Sequence, residues 1–280
     1  MNPRVFLEVD HLSPGERVKV GGEDGHHLVR VLRVGPLESV AIGAAGRGYL
    51  TQVESIDAKA GTVTLRVQNE LSSHEAKLKV YLLQGMPKAE KTEFIIQHGT
   101  ELGLNGFLLY QSNRAVARLD GKDAKKQTAK LVRWERVIRE AAGQSQRDVV
   151  PTLAYAASWS ELEKWLTGVA PGLILFLDEE EQALSLKAAL TSYAEDALAE
   201  QFSQNASAVN ASAEEESDGS VRPVVLCIGP EGGWDDNERQ SFIQRLGAVP
   251  VTLGPRILRT ETAGLVGAAA VFYHFHALGG

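Results

Sequence analysis

At 280 residues, 44% hydrophobic and 23% charged, the chain is long enough to bury a substantial core and reads as one or two globular domains, two on the pattern below. The single cysteine, Cys227, excludes a disulfide framework or a cysteine metal cluster, and its place in an apolar run marks a reduced packing residue of a cytoplasmic protein. The formal charge of −7 weighs against a nucleic-acid partner only as a sum, because residues 75–148 carry a net +5 and residues 178–218 a net −10.

The first eight residues are interrupted by charge too soon for a signal peptide, and no apolar run approaches the roughly 18 residues of a membrane span. A soluble protein without membrane contact is expected. Residues 1–73 show period-2 alternation at 5–9, 17–20, 39–42, 49–53 and 62–67, with turn signals at Pro14-Gly15, Gly21-Gly22, Gly46-Arg47-Gly48 and Ala60-Gly61. A small β-barrel is the reading. Between the second and third strands, residues 26–34 predict a short helix with Leu28, Val31 and Leu32 on one face and Arg30 and Arg33 on another. His26 and His27 cap or pack that helix; no metal site is expected.

From Leu78 onward strands and helices alternate, the pattern of a parallel sheet with crossover helices. Strands are expected at 78–83, 106–110, 173–177, 224–228 and 249–253, and helices at 88–102, 122–144, 159–166, 183–198, 235–246 and 260–276. Gly103 is placed to end the first helix, and Asp235 with Glu238 forms a capping-box pattern opening the fifth. Residues 199–221 are polar and acidic, too poor in apolar side chains to offset ordering entropy, and read as a disordered insertion in a domain spanning 74–280.

Two glycine-rich turns carry most of the functional information: Ile228-Gly229-Pro230-Glu231-Gly232-Gly233 and Leu253-Gly254-Pro255-Arg256-Ile257-Leu258-Arg259-Thr260-Glu261-Thr262. Each follows a strand and precedes a helix, the position at which α/β sheets bind ligands. Neither Gly-x-Gly-x-x-Gly nor Gly-x-x-x-x-Gly-Lys-Ser/Thr occurs, so dinucleotide and triphosphate sites lack their fingerprints. Residues without a Cβ let main-chain groups approach a flat ligand closely.

These turns, with His26-His27-Leu28-Val29-Arg30-Val31-Leu32-Arg33, Met86-Pro87-Lys88 through Gly103, and Arg139-Glu140-Ala141-Ala142-Gly143-Gln144-Ser145, closely resemble the RsmE family. These are small-subunit ribosomal RNA uridine N3-methyltransferases of the SPOUT class. The resemblance implies an α/β fold class: an N-terminal PUA-like β-barrel for RNA, then a SPOUT α/β domain with a parallel sheet and a deep trefoil knot. It implies S-adenosyl-L-methionine as cofactor, 16S rRNA in the small ribosomal subunit as partner, and a homodimer. The cofactor walls, carried over by position, are Leu177, then Ile228, Gly229, Pro230, Gly232 and Gly233, then Leu253, Gly254, Ile257 and Leu258. The chain departs from the family at Ala89-Glu90 and at Ser145-Gln146-Arg147, away from those loops.

Methyl transfer to uracil N3 requires loss of the N3 proton and stabilisation of charge on O2 and O4. Arg259, opening the last helix beside the second turn, is the first candidate for that role; its alternatives are phosphate binding or pairing with Glu261. Asn113 and Arg114 are candidates for uridine or phosphate contact. Glu231 is a candidate base, or ties down loop amides. Arg30, Arg33, Arg118, Lys122, Lys126 and Arg133 are candidate RNA contacts, or a solvated face. A non-catalytic RNA-binding or assembly protein, and a SPOUT enzyme acting on transfer RNA, are the competing readings. Gly264 and Gly267 in the final helix each cost about 1 kcal/mol relative to Ala, which points to a close approach there, within the chain or to a second copy.

Overall fold

In the computed structural model, which describes residues 2–119, 124–196 and 222–278, the chain divides into two compact units. One is Met1–Glu75 with Ile138–Pro151, the other Ala76–Val137 with Thr152–Gly280. The proposed insertion at 199–221 lies outside the described residues.

The first unit holds a five-stranded sheet in the order β1-β3-β4-β5-β2, from β1 (Arg4–Leu7), β2 (Arg17–Val20), β3 (Ser39–Ala44), β4 (Arg47–Asp57) and β5 (Thr62–Glu70). β1 runs parallel to β3 and the remaining pairs are antiparallel. Inward residues such as Val40, Ile42, Val53, Val63 and Leu65 join Leu12, Leu28 and Tyr49 in one core, as strand alternation requires. Residues 138–151 belong to this unit through charge. The buried Asp148 carboxylate pairs with Arg4 and accepts the His74 N–H at 2.9 Å, while Arg147 forks onto Glu75 at 2.6 and 3.2 Å.

The helix expected at 26–34 takes a different form. A short helix, α1 (Gly22–His26), runs into a π-helical turn at His27–Val31. The wider winding breaks the 3.6-residue spacing, so Leu28 alone of the expected face is buried, while Val31 is 63% and Leu32 44% exposed.

The second unit is built on six parallel strands in the order β11-β9-β10-β6-β7-β8: β6 (Val80–Gly85), β7 (Gly106–Tyr110), β8 (Thr152–Ala156), β9 (Leu173–Leu177), β10 (Val224–Ile228) and β11 (Val249–Val251). Both faces of the central strands are covered, which explains their continuous apolar runs. Leu82 and Leu226 face one side; Leu83 and Cys227 face the other, in a core with Leu108, Phe176 and Phe242. Cys227 is free and buried, and burial raises its thiol pKa. β8 has no counterpart in the pattern reading because Thr152-Leu153-Ala154-Tyr155-Ala156 is a half-exposed edge strand with little β-branched content.

Helices α2 (Ala89–Leu102), α3 (Ala124–Gln144), α4 (Trp159–Val169), α5 (186–196), α6 (Asp236–Leu246) and α7 (Thr260–His274) complete the fold. Gly103 closes α2 at φ 109°, and the Asp235/Glu238 capping box opens α6 with both reciprocal bonds made. On α7, a Cβ at Gly264 would stand 3.3 Å from Leu82 and one at Gly267 3.1 Å from Leu177. Those two glycines therefore let the helix lie directly on β6, β9 and β10, which is the close approach within the chain.

Candidate functional site

β9 lies between β10 and β11, so the segments after Leu177, Ile228 and Val251 leave the C-terminal edge of three neighbouring strands. That is the crevice in which open parallel sheets take ligands. β6 flanks β10 on the other side and contributes its own end, Gln84-Gly85.

The first glycine turn sits against that end without slack. A Cβ on Gly85 would be 2.5 Å from Pro230 Cδ and 2.8 Å from its nitrogen. Pro230 and Ile228 are buried, Ile228 beneath Gly264 of α7, so these two shape the wall from behind. Gly229 directs its carbonyl inward, where it accepts from Thr260 Oγ1 at 2.5 Å and Gln84 Nε2 at 3.1 Å. Gly232 is exposed, and its carbonyl accepts from Arg114 Nη1 at 3.3 Å. Gly233 adopts φ 67°, in the left-handed region that favours glycine.

The second turn is more open. Residues 254–257 are exposed, Gly254 has φ 104°, and a Cβ there would meet nothing within 4 Å. Ile257 is 80% exposed, with Leu253 and Leu258 half-buried beside it. Leu177 stands behind them against Gly267. Bare backbone at Gly254, the exposed Gly232 packed on Arg114 and unburied apolar side chains make a surface that a flat heterocycle with a flexible tail would fit.

Charged groups around the crevice are tied to the loops. Glu231 Oε1 accepts from the Lys88 N–H at 3.2 Å and lies 3.4 Å from Lys91 Nζ, which also pairs with Glu261 at 2.8 Å. The hydrogen bond that Lys91 donates to Glu261 leads the causes that raise the Lys91 pKa; burial works against ionisation of Glu261, but the same bond leaves its carboxyl below the usual range. Glu231 thus links the first turn to the residues that open α2. Arg259 is exposed and takes the N-cap position of α7, its side chain making no capping bond.

Asn113 and Arg114, in the loop after β7, meet the start of α6. Asn113 N–H donates to Glu238 Oε1 at 2.8 Å, and its side-chain amide donates to Asp235 Oδ2 at 2.5 Å. Burial raises the Glu238 pKa against the bonds from Asn113 and Asp235; the Glu238 N–H, then the Asn113 amide, lower that of Asp235. Tyr110 is pushed up to about 12 by burial, reinforced by Glu238 and Asp235, and stays protonated near neutrality.

Of the basic candidates, Arg30 and Arg33 are exposed in the first unit, Arg30 donating to the Ala58 carbonyl at 2.9 Å and Arg33 lying at φ 53°. Arg118, Lys126 and Arg133 are exposed in the second, Arg133 paired with Glu93 at 2.9 Å. Lys122 lies outside the described residues. No group of three or more potential metal-ligating side chains occurs among the described residues, and no helix there is long and apolar enough to cross a membrane.

Gln84, Gly85, Lys91 and Thr260 join the site through contacts distant in sequence. A signal existed for Gln84, the lone polar side chain in the otherwise apolar β6.

A parallel sheet with ligand-type loops at one edge defines an α/β ligand-binding protein, and a family model described as an RNA methyltransferase domain matches residues 74–272. The chain belongs to that family and, within it, to the ribosomal RNA small subunit methyltransferase E group. It is 30% identical to the Bacillus subtilis protein of that name over 99% of this chain and 98% of the relative. It is 31% identical to the Mycobacterium tuberculosis protein over 95% and 90%. The crystal structure of the Neisseria gonorrhoeae protein of the same name, bound to S-adenosyl methionine, superposes with a TM-score of 0.74 at 24% identity, covering 98% of each chain.

Proposed function

We propose that this chain transfers a methyl group from S-adenosyl-L-methionine to N3 of a uridine in the 16S rRNA of the small ribosomal subunit. The observation that carries the proposal is the meeting of the two glycine turns at the C-terminal edge of the sheet, after the two strands that flank β9, joined by the Gly229 carbonyl to Thr260. The relatives that match nearly the whole chain are named ribosomal RNA small subunit methyltransferase E.

Backbone at Gly232, Gly233 and Gly254, with Leu253, Ile257 and Leu258, holds the cofactor, which supplies an electrophilic methyl on a sulfonium. Arg259 takes the developing charge on the uracil carbonyls, and solvent accepts the N3 proton. Orientation of the two reactants contributes the remainder of the acceleration. Asn113 and Arg114, fixed by Asp235, Glu238 and Gly232, present the uridine or its phosphate, and the exposed basic residues contact the RNA backbone.

The N-terminal domain, residues 1–73, acts as a PUA-like barrel for RNA, and residues 74–280 form the catalytic SPOUT domain, apart from 138–151, which belong to the first unit. A trefoil knot at its C-terminus is supported by chain order: β11 lies outside β9, whereas the following α7 packs back on β10 and β6. General topology rules disfavour such threading, so a cofactor-binding reason for it is needed. A homodimer is supported by apolar side chains left uncovered on α7 and α2, Tyr273 at 75%, Val266 at 43% and Phe94 at 46% exposure. A ribosomal substrate places the protein in the cytoplasm.

The test incubates the protein and labelled S-adenosylmethionine with unmodified small subunits, naked 16S rRNA and transfer RNA, and locates methyl groups by mass spectrometry. Label on uridine N3 in 16S rRNA is expected. Cofactor binding without transfer to any RNA means a non-catalytic assembly protein, and label on transfer RNA alone means a different substrate.

A further inference from the structure

Gln84 is fully buried at the end of β6. Its Nε2 lies 2.8 Å from Thr260 Oγ1, 3.1 Å from the Gly229 carbonyl and 3.0 Å from the Gly85 carbonyl. Thr260 in turn donates its hydroxyl proton to Gly229 at 2.5 Å. A primary amide has two N–H groups and a hydroxyl one, so the three residues close a ring of donors and acceptors. Three elements meet in it: the end of β6, the first glycine turn and the first residue of α7.

Filling space does not account for a glutamine here. Its Oε1 is buried and has no hydrogen-bond partner, a desolvation cost that leucine or methionine would avoid. The donors on Nε2 are what the position uses. A second link joins the same two segments through different residues: Lys91 spans Glu231 in the turn and Glu261 in α7. Arg259 immediately precedes the clasped Thr260.

We propose that Gln84 is a positioning residue for methyl transfer, fixing the first glycine turn and the Arg259 end of α7 at one separation through Gly229 and Thr260. The proposal rests on the functional reading above. Misplacing a reacting group by an ångström costs up to about a hundredfold in rate, so the clasp acts on the rate without touching substrate.

The experiment compares wild type, Gln84→Leu, Thr260→Val, Thr260→Ser and the Gln84→Leu/Thr260→Val double variant. Thermal unfolding, S-adenosylmethionine affinity by calorimetry, and single-turnover methylation of small subunits at saturating cofactor are measured on each. Wild type comes first: if it neither binds cofactor nor transfers methyl, the functional reading has failed, not the clasp. With wild type active, Gln84→Leu and Thr260→Val are expected to remain folded at the assay temperature and lose about tenfold to a hundredfold in single-turnover rate. Thr260→Ser, which keeps the hydroxyl, is expected within about twofold of wild type, and the double variant no slower than the worse single, as members of one network are non-additive. Lowered melting temperatures with wild-type rate and affinity would overturn the proposal. If Gln84→Leu does not fold, the Thr260→Val and Thr260→Ser pair decides alone: equal rates in the two overturn it.

Discussion

The backbone N–H of Asn113 donates to the buried carboxylate of Glu238 at 2.8 Å, tying the loop after β7 to the first turn of α6. The same carboxylate accepts the Asp235 N–H at 3.1 Å through its other oxygen, so one side chain satisfies two main-chain donors from segments 122 residues apart in sequence. Removing it leaves both donors short of a partner. Glu238→Ala is expected to destabilise the fold by about 1–3 kcal/mol, and Glu238→Gln, with one acceptor oxygen left, by less. Chemical denaturation with a two-state fit checks this; equal midpoints for Glu238→Ala and wild type would remove the carboxylate from the stability of the loop.

The two carboxylates of that capping box respond to pH in opposite senses. Glu238 has a folded pKa raised above 4.5, so between 4.5 and the folded value the unfolded chain has released a proton that the fold retains, and stability falls as pH rises. Asp235 has a folded pKa lowered below 3.8, so its contribution is present above 3.8 and is lost as pH falls through the folded value. Carboxyl-carbon NMR titration should show Glu238 titrating above, and Asp235 below, their unfolded values. Titration of both in the same direction contradicts the geometry.

Gly85 and Gly254 are glycines for different reasons, and alanine at each should fail differently. At Gly85 the new methyl meets Pro230 at 2.5 Å, so Gly85→Ala moves the first glycine turn, costs about 1–3 kcal/mol in overpacking and weakens cofactor binding. At Gly254 the methyl has room within the protein, so the folding cost is that of the positive φ, about 1–3 kcal/mol, and affinity is lost there only by the methyl meeting the cofactor directly, with the turn itself unmoved. Melting curves and calorimetric affinities for the pair should show the affinity loss at Gly85 even in fully folded protein.

Arg259→Ala is expected to keep the melting temperature and cofactor affinity and to lose about 2.7–4 kcal/mol of transition-state stabilisation, roughly 10²–10³ in single-turnover rate. The exposed position of Arg259 explains why stability should not change. Unchanged turnover would take this guanidinium out of the chemistry.

RNA affinity should decline with salt in proportion to the phosphates neutralised. Lys126→Ala is expected to flatten the slope of log K against log salt by about 0.7 on single-stranded RNA. Parallel slopes for variant and wild type would make Lys126 an ordinary solvated lysine.

Most of the second unit was legible along the chain. Continuous apolar runs mark β6, β7, β9 and β10 because helices cover both of their faces, and the Asp235/Glu238 spacing marked the start of α6 because a capping box is made within four residues. The failures share a cause. Val31 and Leu32 left their expected face because the turn wound as a π-helix, and β8 escaped notice because an edge strand needs no strong apolar pattern. In both, the local apolar pattern did not carry the geometry that formed.

The sequence by itself determined the strand and helix alternation, the two glycine turns and the family to which they belong, since backbone freedom and periodicity are local properties that near neighbours encode. Only the tertiary structure decided how those turns are held. Glu231 ties the first turn to Lys88 and Lys91, Gly85 lies under Pro230, and Gln84 bonds both Gly229 and, 176 residues away in sequence, Thr260. A hydrogen bond depends on a few ångströms of distance and not on position along the chain, so such partners are found only once the sheet has brought the strand ends together.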